Sequence, residues 1–493
     1  MQMAKLKWIF ITCTLWIVNS KAIAQEKNQP NVLLICVDDL LPALGSYGND
    51  EVKSPHMDAL AAQSAVFSRH YVTVPTCGAS RYSLLRSSLP RTTAELSNTI
   101  ANRLSADKQE KSTEPETFIE QFRRNGYYTV GIGKISHHPD GYIYPYSGSK
   151  SDRRELPNSW DEMLLDYGNW GQGWDAFFAY ANGESRTTKK GDVPPYEAAD
   201  VGDEGYPDGL IARTAVNKLK MLAHQKQPFV LGVGFFKPHL PFNAPKKYWD
   251  LYDEDRLSLT SAPDIPKNIH RASLHNSAEF NQYKLGEEKA SLDGPLSDAY
   301  SRKLIHGYYA CISYVDEQVG KVLSALKETG LDKNTIVVLW SDHGWHLGDY
   351  HVWGKHTLFD RSLRSVLMLK TPDMTGRKQI DRVVSTIDIA PTLLDLCDVP
   401  ALSYADGHSV KPLLQNIRDT SWKDVAYSYF KEGISMVTPQ YRLTRYFRKE
   451  TPATELYDHA VDTLETKNIA EGNEHIIQEL NPLWEQGNTG LFR

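Results

Sequence analysis

The chain has 493 residues, including only five cysteines, and a formal net charge of −6 at pH 7. This length supplies an ample core and predicts two or more structural units, since domains usually contain about 100–200 residues. The acidic balance argues against a nucleic-acid-binding protein, because phosphate binding is expected to show as a basic excess or stripe.

The N-terminus has the pattern of a cleaved export signal. Lys5 and Lys7 precede an apolar run over 8–18, and small residues follow at 22–24, where a signal peptidase cuts. Cys13 lies midway through the apolar run behind a poor lipobox, which disfavours a lipoprotein. We therefore expect a signal peptide over 1–24, a mature chain from Gln25, and a periplasmic or secreted protein with no membrane span.

Four cysteines remain after the signal, too few for a disulfide scaffold in a chain of this length. Cys36 lies in an apolar run and is most simply a core residue. Cys311 and Cys397 could pair, but nothing in the sequence demands it.

The first buried element is the β-branched run Asn31–Val37, which is typical of a central parallel strand. Asp38 and Asp39 follow at its carboxyl end, where open α/β sheets place their sites. Adjacent carboxylates repel unless a cation joins them, which favours a hard divalent metal; a solvated acidic turn is the alternative. Further on, Ser54 and Pro55 predict a helix start, with the serine as cap.

The segment from Val74 to Leu85 contains Cys77, two small residues, a serine and Arg81. A cysteine at a helix start faces backbone N–H groups and the positive end of the helix dipole, which suits a reactive group beside an anion. A buried cysteine in an ordinary loop-to-helix junction is the alternative.

Residues 77–81, Cys-Gly-Ala-Ser-Arg, resemble the signature of the sulfatase family, Cys-any-(Pro or Ala)-any-Arg. The resemblance implies that Cys77 is oxidised after translation to formylglycine, an aldehyde that hydrates to a geminal diol. It also implies a partner that makes this modification, either a formylglycine-generating enzyme or an anaerobic sulfatase-maturing enzyme.

A second strand is predicted over 127–133, and Lys134, His137 and His138 follow its end. Lysine supplies a point charge and histidine a proton carrier near neutral pH. Surface residues would be the default for an isolated motif of this kind. The sulfatase resemblance implies that Lys134 contacts formylglycine and sulfate and that His137 contacts the formylglycine hydrate.

Residues 142–207 are rich in Gly, Tyr, Trp, Asp and Pro and break the alternation of strands and helices. Aromatic faces and short polar side chains on loops suit a sugar. The rings could equally pack a long insertion together, and both interpretations stay open.

The next strand, predicted over 227–235, leads to His239 between two prolines, which restrict its backbone. The Lys-Pro-His-any-Pro pattern over 237–241 resembles the iduronate-2-sulfatase-like branch of the family. That resemblance implies a histidine beside the scissile ester, so His239 is the candidate general acid and a substrate-binding residue.

A further strand over 335–340 precedes Asp342 and His343, and Gly-Lys-His follows at 354–356. This pair of motifs resembles the sulfatase branch of the alkaline-phosphatase-like superfamily. It implies that Asp342 and His343 bind the metal beside Asp38, Asp39 and the modified Cys77, and that Lys355 binds sulfate.

These motifs predict an α/β fold. We expect an alkaline-phosphatase-like large domain over 25–400, with a mostly parallel central sheet flanked by helices. Alternating segments over 425–446 predict a smaller C-terminal subdomain over 401–493 with an antiparallel sheet. In the family it resembles, such a subdomain completes the mouth of the pocket.

The resemblance implies a mechanism in which one hydroxyl of hydrated formylglycine 77, acidified by calcium, attacks sulfur while the sugar oxygen leaves. His239 would protonate that oxygen, while Lys134, Lys355 and Arg81 offset charge on the sulfuryl group. His137 would help the second hydroxyl to expel sulfate.

The expected substrate is a sulfated polysaccharide or its oligosaccharides, and the expected action is removal of sulfate from a uronate or related sugar at a chain end. Two other functions remain open at this point. One is a phosphonate monoester hydrolase or phosphodiesterase of the same superfamily, and the other is a non-catalytic exported carbohydrate-binding protein.

Overall fold

The computed structural model of the chain describes residues 29–103 and 115–492. The expected signal peptide over 1–24 lies outside these residues. Within the described ranges, no helix combines the length and apolar character needed to cross a membrane.

The strands follow one another along the chain and form one large and three small sheets. Their bounds are β1 Asn31–Val37, β2 Ala65–Tyr71, β3 Tyr128–Gly133, β4 Glu162–Leu164, β5 Tyr196–Ala199, β6 Phe229–Phe235, β7 Phe242–Pro245, β8 Thr335–Ser341, β9 His346–Leu347, β10 Trp353–Gly354, β11 Leu367–Lys370, β12 Lys378–Ser385, β13 Ala426–Phe430, β14 Gly433–Val437, β15 Tyr441–Tyr446 and β16 Thr454–Asp458.

The α-helices are α1 Pro55–Ala61, α2 Cys77–Arg86, α3 Phe118–Arg124, α4 Gly173–Phe177, α5 Pro207–Leu222, α6 Lys246–Trp249, α7 Asp298–Glu328, α8 Asp360–Leu363, α9 Ile389–Leu396, α10 Lys411–Gln415 and α11 Glu474–Gln486. Ser54 precedes α1 as expected. Its hydroxyl donates to Asp58 Oδ2 at 2.9 Å and does not cap the first turn, which corrects that detail.

The large sheet has the strand order β12-β2-β11-β8-β1-β6-β3-β4. Its strands are parallel except β11, which is antiparallel to both neighbours. Strand β1 lies at its centre, and every residue of that strand is buried because helices cover both faces. The expected mostly parallel sheet is confirmed.

Alternate residues of β1 enter two different cores. Leu33, Ile35 and Val37 pack with α5 and α7 on one face. Val32, Leu34 and Cys36 pack with α2, α3 and α9 on the other. The sheet is thus the middle layer of three, and α2 is held against it with Cys77 at its first turn.

The small C-terminal sheet has the order β13-β14-β15-β16 and is antiparallel throughout, as expected. Its inner face shares a cluster with Val74 and Ala79, which flank Cys77, and with Trp484 of α11. The sheet therefore packs beside the Cys77 segment. Leu413 and Leu414 of α10 lie in the core of the large sheet, and the predicted domain boundary at 400 stays a prediction.

The cysteines of the described residues do not pair. Cys36, Cys77, Cys311 and Cys397 are all buried and free. Cys311 Sγ lies 3.5 Å from the carbonyl oxygen of Asn243, whereas Cys397 Sγ lies 3.8 Å from that of Pro30. The open question of a disulfide between Cys311 and Cys397 is answered in the negative.

Candidate active site

The carboxyl ends of four neighbouring parallel strands meet at one edge of the large sheet. Strands β8, β1, β6 and β3 lie side by side, and each is followed by polar residues. This topology gathers the sequence-predicted side chains, all of which are buried: Asp38, Asp39, Cys77, Arg81, Lys134, His137, His239, Asp342, His343 and Lys355.

Cys77 is the first residue of α2, as the sequence predicts. Its Sγ lies 3.3 Å from His343 Nε2 and 3.3 Å from Lys355 Nζ. Burial and the nearby Asp38 raise the pKa of the thiol well above its ordinary value, so the unmodified thiol stays protonated and is a poor nucleophile.

The expected backbone anion site at the start of α2 is only partly available. The Gly78 N–H donates to Asn98 Oδ1 at 2.7 Å, and the Ser80 N–H donates to the Thr76 carbonyl at 2.8 Å. Side-chain cations therefore supply most of the positive charge around Cys77.

Arg81, one turn along α2, joins two of the acids. Its Nη2 lies 3.2 Å from Asp38 Oδ1, and its Nε lies 2.9 Å from Asp342 Oδ2. Its Nη1 donates to the carbonyls of Lys134 and Ile135. All of its donor nitrogens are engaged, and the side chain does not line the cavity described below.

The acids and His343 form a cluster suited to a cation. Ligand atoms of Asp38, Cys77, Asp342 and His343 all lie within 4.8 Å of one another. Asp39 Oδ1 is 3.3 Å from His343 Nε2. Burial and the neighbouring Asp38 raise the pKa of Asp342 to about 6, although Arg81 opposes that shift.

His343 is held in its neutral form. Burial lowers its pKa to about 4, and its Nδ1 lies 3.0 Å from the Gly344 carbonyl. The backbone contact assigns the proton to Nδ1 and leaves the Nε2 lone pair directed at Cys77 and Asp39. Carboxylate oxygens with one neutral imidazole fit a divalent cation.

Two lysines contact the acids from the cavity side. Lys134 Nζ donates to Asp38 Oδ2 and lies 4.2 Å from the centre of the Phe177 ring. Lys355 Nζ lies 2.9 Å from Asp39 Oδ1. Burial alone would lower the pKa of Lys355, but Asp39 and the other anions around it raise that pKa well above its ordinary value. It therefore remains charged.

The two histidines after β3 have different surroundings. His137 lines the cavity, its Nε2 is 3.4 Å from the Tyr146 hydroxyl, and its buried Nδ1 has no hydrogen-bond partner among the described residues. Burial, followed by Lys134, lowers its pKa well below 6.5. His138 instead contacts Glu155 Oε2 at 3.1 Å and does not line the cavity, so its position is structural.

His239 is held between two acceptors. Its Nδ1 donates to the Leu240 carbonyl at 2.6 Å, and its Nε2 lies 3.0 Å from Glu279 Oε1. Carbonyl and carboxylate oxygens accept hydrogen bonds, so each ring nitrogen of His239 faces a group to which it can donate a proton. The Nε2 atom is the one that faces the cavity acid Glu279.

Cys77, Lys134, His137, His239 and Lys355 line the floor of a cavity of about 530 Å³, and the acids and His343 lie directly behind them. Aromatic residues of the 142–207 region contribute to its wall and also pack against one another, as with Tyr146 and Trp174 at 4.5 Å between ring centroids. Tyr146 is 40% exposed, whereas Trp174 is almost completely buried. The packing interpretation thus describes part of this region, and sugar binding by its exposed rings stays a prediction. Phe430 and Lys431 of the C-terminal sheet region complete the wall.

Several cavity residues carry no signal in the sequence. Glu279, which contacts His239 and Lys355, lies in a loop 40 residues beyond His239, and Arg186 lies in the aromatic insertion. Neither follows a predicted strand or belongs to a recognisable motif, so local pattern could not identify them.

Comparisons with known proteins agree with this geometry. A family model described as sulfatase matches residues 30–399, and a model described as N-sulphoglucosamine sulphohydrolase, C-terminal, matches 348–486. A Formosa agariphila protein named sulfatase is 28% identical over 494 residues, covering 96% of this chain and 91% of that protein. Mouse iduronate 2-sulfatase is 33% identical over 357 residues, covering 70% of this chain and 60% of that protein.

Solved structures show the same fold. One is BT4656 in complex with its substrate D-glucosamine-2-N,6-O-disulfate, with a TM-score of 0.70, 20% identity and coverage of 93% of this chain and 97% of that chain. Another is a phosphonate monoester hydrolase from Silicibacter pomeroyi, with a TM-score of 0.70, 21% identity and coverage of 94% and 96%.

Proposed function

The chain belongs to the sulfatase family and is a sulfuric ester hydrolase, and we propose that its substrate is a sulfated carbohydrate, attacked through formylglycine formed from Cys77. The observation that carries the proposal is the position of Cys77. It stands at the floor of the cavity, between the His343 imidazole and the Lys355 ammonium, as a protonated thiol that is itself a poor nucleophile. Oxidation by a sulfatase-maturing enzyme would supply the missing reactivity.

We propose calcium as the metal, held by Asp38, Asp39, Asp342 and His343. Three buried carboxylates and one neutral imidazole suit a divalent cation. When present, formylglycine and calcium together supply an acidified hydroxyl group directed at sulfur.

Arg81 is assigned a positioning role. Its nitrogens are engaged with Asp38, Asp342 and two backbone carbonyls, and it does not line the cavity. Its charge therefore orients the acids behind the cavity, whereas the family resemblance implies that it offsets charge on the sulfuryl group.

Lys134 and Lys355 bind the sulfate group. Both ammonium groups lie at the cavity floor beside Cys77 and Asp38 or Asp39, where developing negative charge on the sulfuryl oxygens would be offset. They are fixed by ion pairs and rings before substrate arrives, so little reorganisation accompanies binding.

His239 protonates the departing sugar oxygen. Its two ring nitrogens face the Leu240 carbonyl and the Glu279 carboxylate at the cavity wall, and this pair of acceptors favours the protonated ring that a general acid needs at the start of the reaction. His137, neutral and with a free buried Nδ1, accepts the proton released when sulfate is expelled.

The cavity suits one sugar residue at the end of a chain. Rings of the 142–207 insertion and the C-terminal sheet enclose it, and its volume lies in the range of small-ligand pockets. We propose a sulfated uronate or related sugar of a polysaccharide, and export to the periplasm or beyond through the predicted signal over 1–24.

The test combines mass and turnover. The protein is produced with a maturing enzyme, and the mass of the peptide spanning Cys77 is measured by mass spectrometry. Sulfate release is measured on sulfated saccharides, and hydrolysis is measured on phosphonate monoesters and phosphate diesters. Conversion of Cys77 with sulfate release supports the proposal, and Cys77→Ala, which offers no thiol or hydroxyl to oxidise, serves as the inactive control. Full conversion with turnover of phosphoesters alone would favour the phosphonate hydrolase alternative.

A further inference from the structure

Arg186 is a buried cation in the cavity wall that the chemistry at the floor does not use. It is 8% exposed and lines the cavity. Its guanidinium carbon lies 3.6 Å from the centre of the Phe178 ring and 5.4 Å from that of Tyr283. Its close neighbours are therefore aromatic faces.

No acid balances this charge. Within residues 29–103 and 115–492, Arg186 forms no ion pair, whereas Lys134, Lys355 and Arg81 each contact a carboxylate. Asp175 of α4 accepts the hydroxyl hydrogens of Ser185 and Thr187 instead, and Glu184 pairs with Lys189. A buried charge without an ionic partner is costly, which makes an incoming anion the natural counter-charge.

A hairpin over residues 178–189, which includes the antiparallel bridge between Ala179 and Ser185, fixes the position of Arg186. Its N–H donates to the Phe178 carbonyl at 3.2 Å, and the Tyr180 N–H donates to the Glu184 carbonyl at 2.9 Å. The guanidinium therefore stacks on Phe178 from a backbone that is held by its own hydrogen bonds. A planar, pre-ordered guanidinium binds carboxylate or sulfate oxygens through paired hydrogen bonds.

Phe178 lies close to both Arg186 and the candidate acid. Its ring centroid is 3.6 Å from the Arg186 guanidinium carbon and 6.1 Å from the centroid of the His239 ring. The guanidinium and the His239 ring are therefore no more than about 10 Å apart, a distance that a single monosaccharide with its substituents can cover.

We propose that Arg186 forms a subsite for a second anionic group, a carboxylate or another sulfate, on the same sugar residue whose sulfate ester is hydrolysed. The proposal rests on the proposed function. It predicts that the enzyme prefers doubly anionic sugars to sugars that carry the scissile sulfate alone.

The turnover experiment compares three substrates of one sugar type: a sulfate ester with no other charge, one with a carboxylate, and one with a second sulfate. Arg186→Met removes the charge and keeps an apolar chain over Phe178. We expect kcat/KM for a doubly anionic substrate to fall about 10- to 100-fold, the effect of one charge-assisted hydrogen bond, with a change of less than about threefold for the singly charged ester. The two anionic substrates separate carboxylate from sulfate recognition.

Two control substitutions test whether loss of any cation near the cavity has the same effect. Lys189→Met removes an exposed cation of the same hairpin that pairs with Glu184, and Lys431→Met removes an exposed cation at the cavity. Neither should reproduce the selective loss. The proposal would be overturned if Arg186→Met lowered kcat/KM equally for doubly anionic and singly charged substrates. It would also be overturned if Lys431→Met, and not Arg186→Met, caused the selective loss.

Binding provides a second test that needs no turnover. Calorimetry with the unconverted Cys77 protein compares a free uronic acid, a singly sulfated sugar and the corresponding neutral sugar. Preference for either anionic sugar that disappears in Arg186→Met and weakens with salt supports the subsite even if no sulfate ester is hydrolysed. Equal binding of neutral and anionic sugars would refute it, while leaving sulfatase activity to be judged by turnover.

Discussion

Replacing Glu279 by glutamine should impair the enzyme only where the leaving group needs a proton. The Glu279 carboxylate lies 3.0 Å from His239 Nε2 and can accept a hydrogen bond from that nitrogen when it carries a proton. The substitution keeps the side-chain size and removes the negative charge. Loss of a hydrogen bond to a charged group costs about 1.5–3 kcal/mol, and each 1.4 kcal/mol is a factor of ten in rate. We therefore expect kcat/KM for a sugar sulfate to fall about 10- to 100-fold.

The assay uses two substrates, of which only one has a leaving group that requires a proton. A sugar alcohol leaves only with a proton, whereas the phenolate of 4-nitrophenyl sulfate leaves as an anion without help. Glu279→Gln should therefore slow sugar sulfate hydrolysis and leave aryl sulfate hydrolysis within about threefold of the unsubstituted enzyme. Addition of an acidic buffer component should partly restore the slow reaction.

A competing explanation acts through Lys355, whose Nζ is 3.3 Å from Glu279 Oε1. Disturbance of that lysine would weaken the hold on the sulfuryl oxygens and slow both substrates equally. Gln282→Ala, in the same short turn and also lining the cavity, is the matched control for local disturbance. An equal loss on both substrates would refute proton delivery by a Glu279-supported His239.

Four further predictions test other parts of the site. Cys77→Ala should abolish sulfate release with little change in melting temperature; residual turnover would contradict its role. Arg81→Ala leaves two buried carboxylates without their guanidinium and should lower the free energy of urea unfolding by about 3–5 kcal/mol, against at most about 1 kcal/mol for the exposed ion pairs of Arg213. Chelation of divalent cations should lower activity and melting temperature together, with calcium restoring both; unchanged activity in metal-free protein would contradict the calcium assignment. Burial lowers the pKa of His70 to about 3, so below pH 6.5 the unfolded chain takes up a proton that the folded chain does not. Stability should fall on acidification from pH 6.5, by up to about 1.4 kcal/mol per pH unit from this group, and His70→Gln should reduce the slope of the urea midpoint against pH.

The floor of the site could be predicted from sequence because its residues follow buried parallel strands. Runs such as Asn31–Val37 are apolar at every position, and that pattern indicates a strand covered on both faces. Polar residues at the ends of such strands must gather at one edge of the sheet. Asp38 and Asp342, from strands that neighbour each other, accordingly share Arg81.

The walls could not be predicted in the same way. Glu279 reaches His239 because distant contacts hold its loop: the Trp353 N–H donates to Ser277 Oγ at 2.9 Å, and His275 contacts the Lys355 carbonyl. Such contacts join segments far apart in the chain and leave no periodic pattern. The short pairs β9–β10 and β5–β7, of two and four residues per strand, escaped prediction for the same reason.

This difference in predictability coincides with a difference in electrostatics. At the floor, each cation contacts at least one acid: Lys134 contacts Asp38, and Lys355 contacts Asp39. In the wall, Arg186 packs against Phe178 and Tyr283 and forms no ion pair within residues 29–103 and 115–492. Because the floor cations are held by acids before substrate arrives, the floor can carry out the same sulfate chemistry on many sugars. The loop that carries Arg186 holds a cation whose counter-charge would come from the sugar. The residues of the wall therefore determine which sugars the enzyme selects.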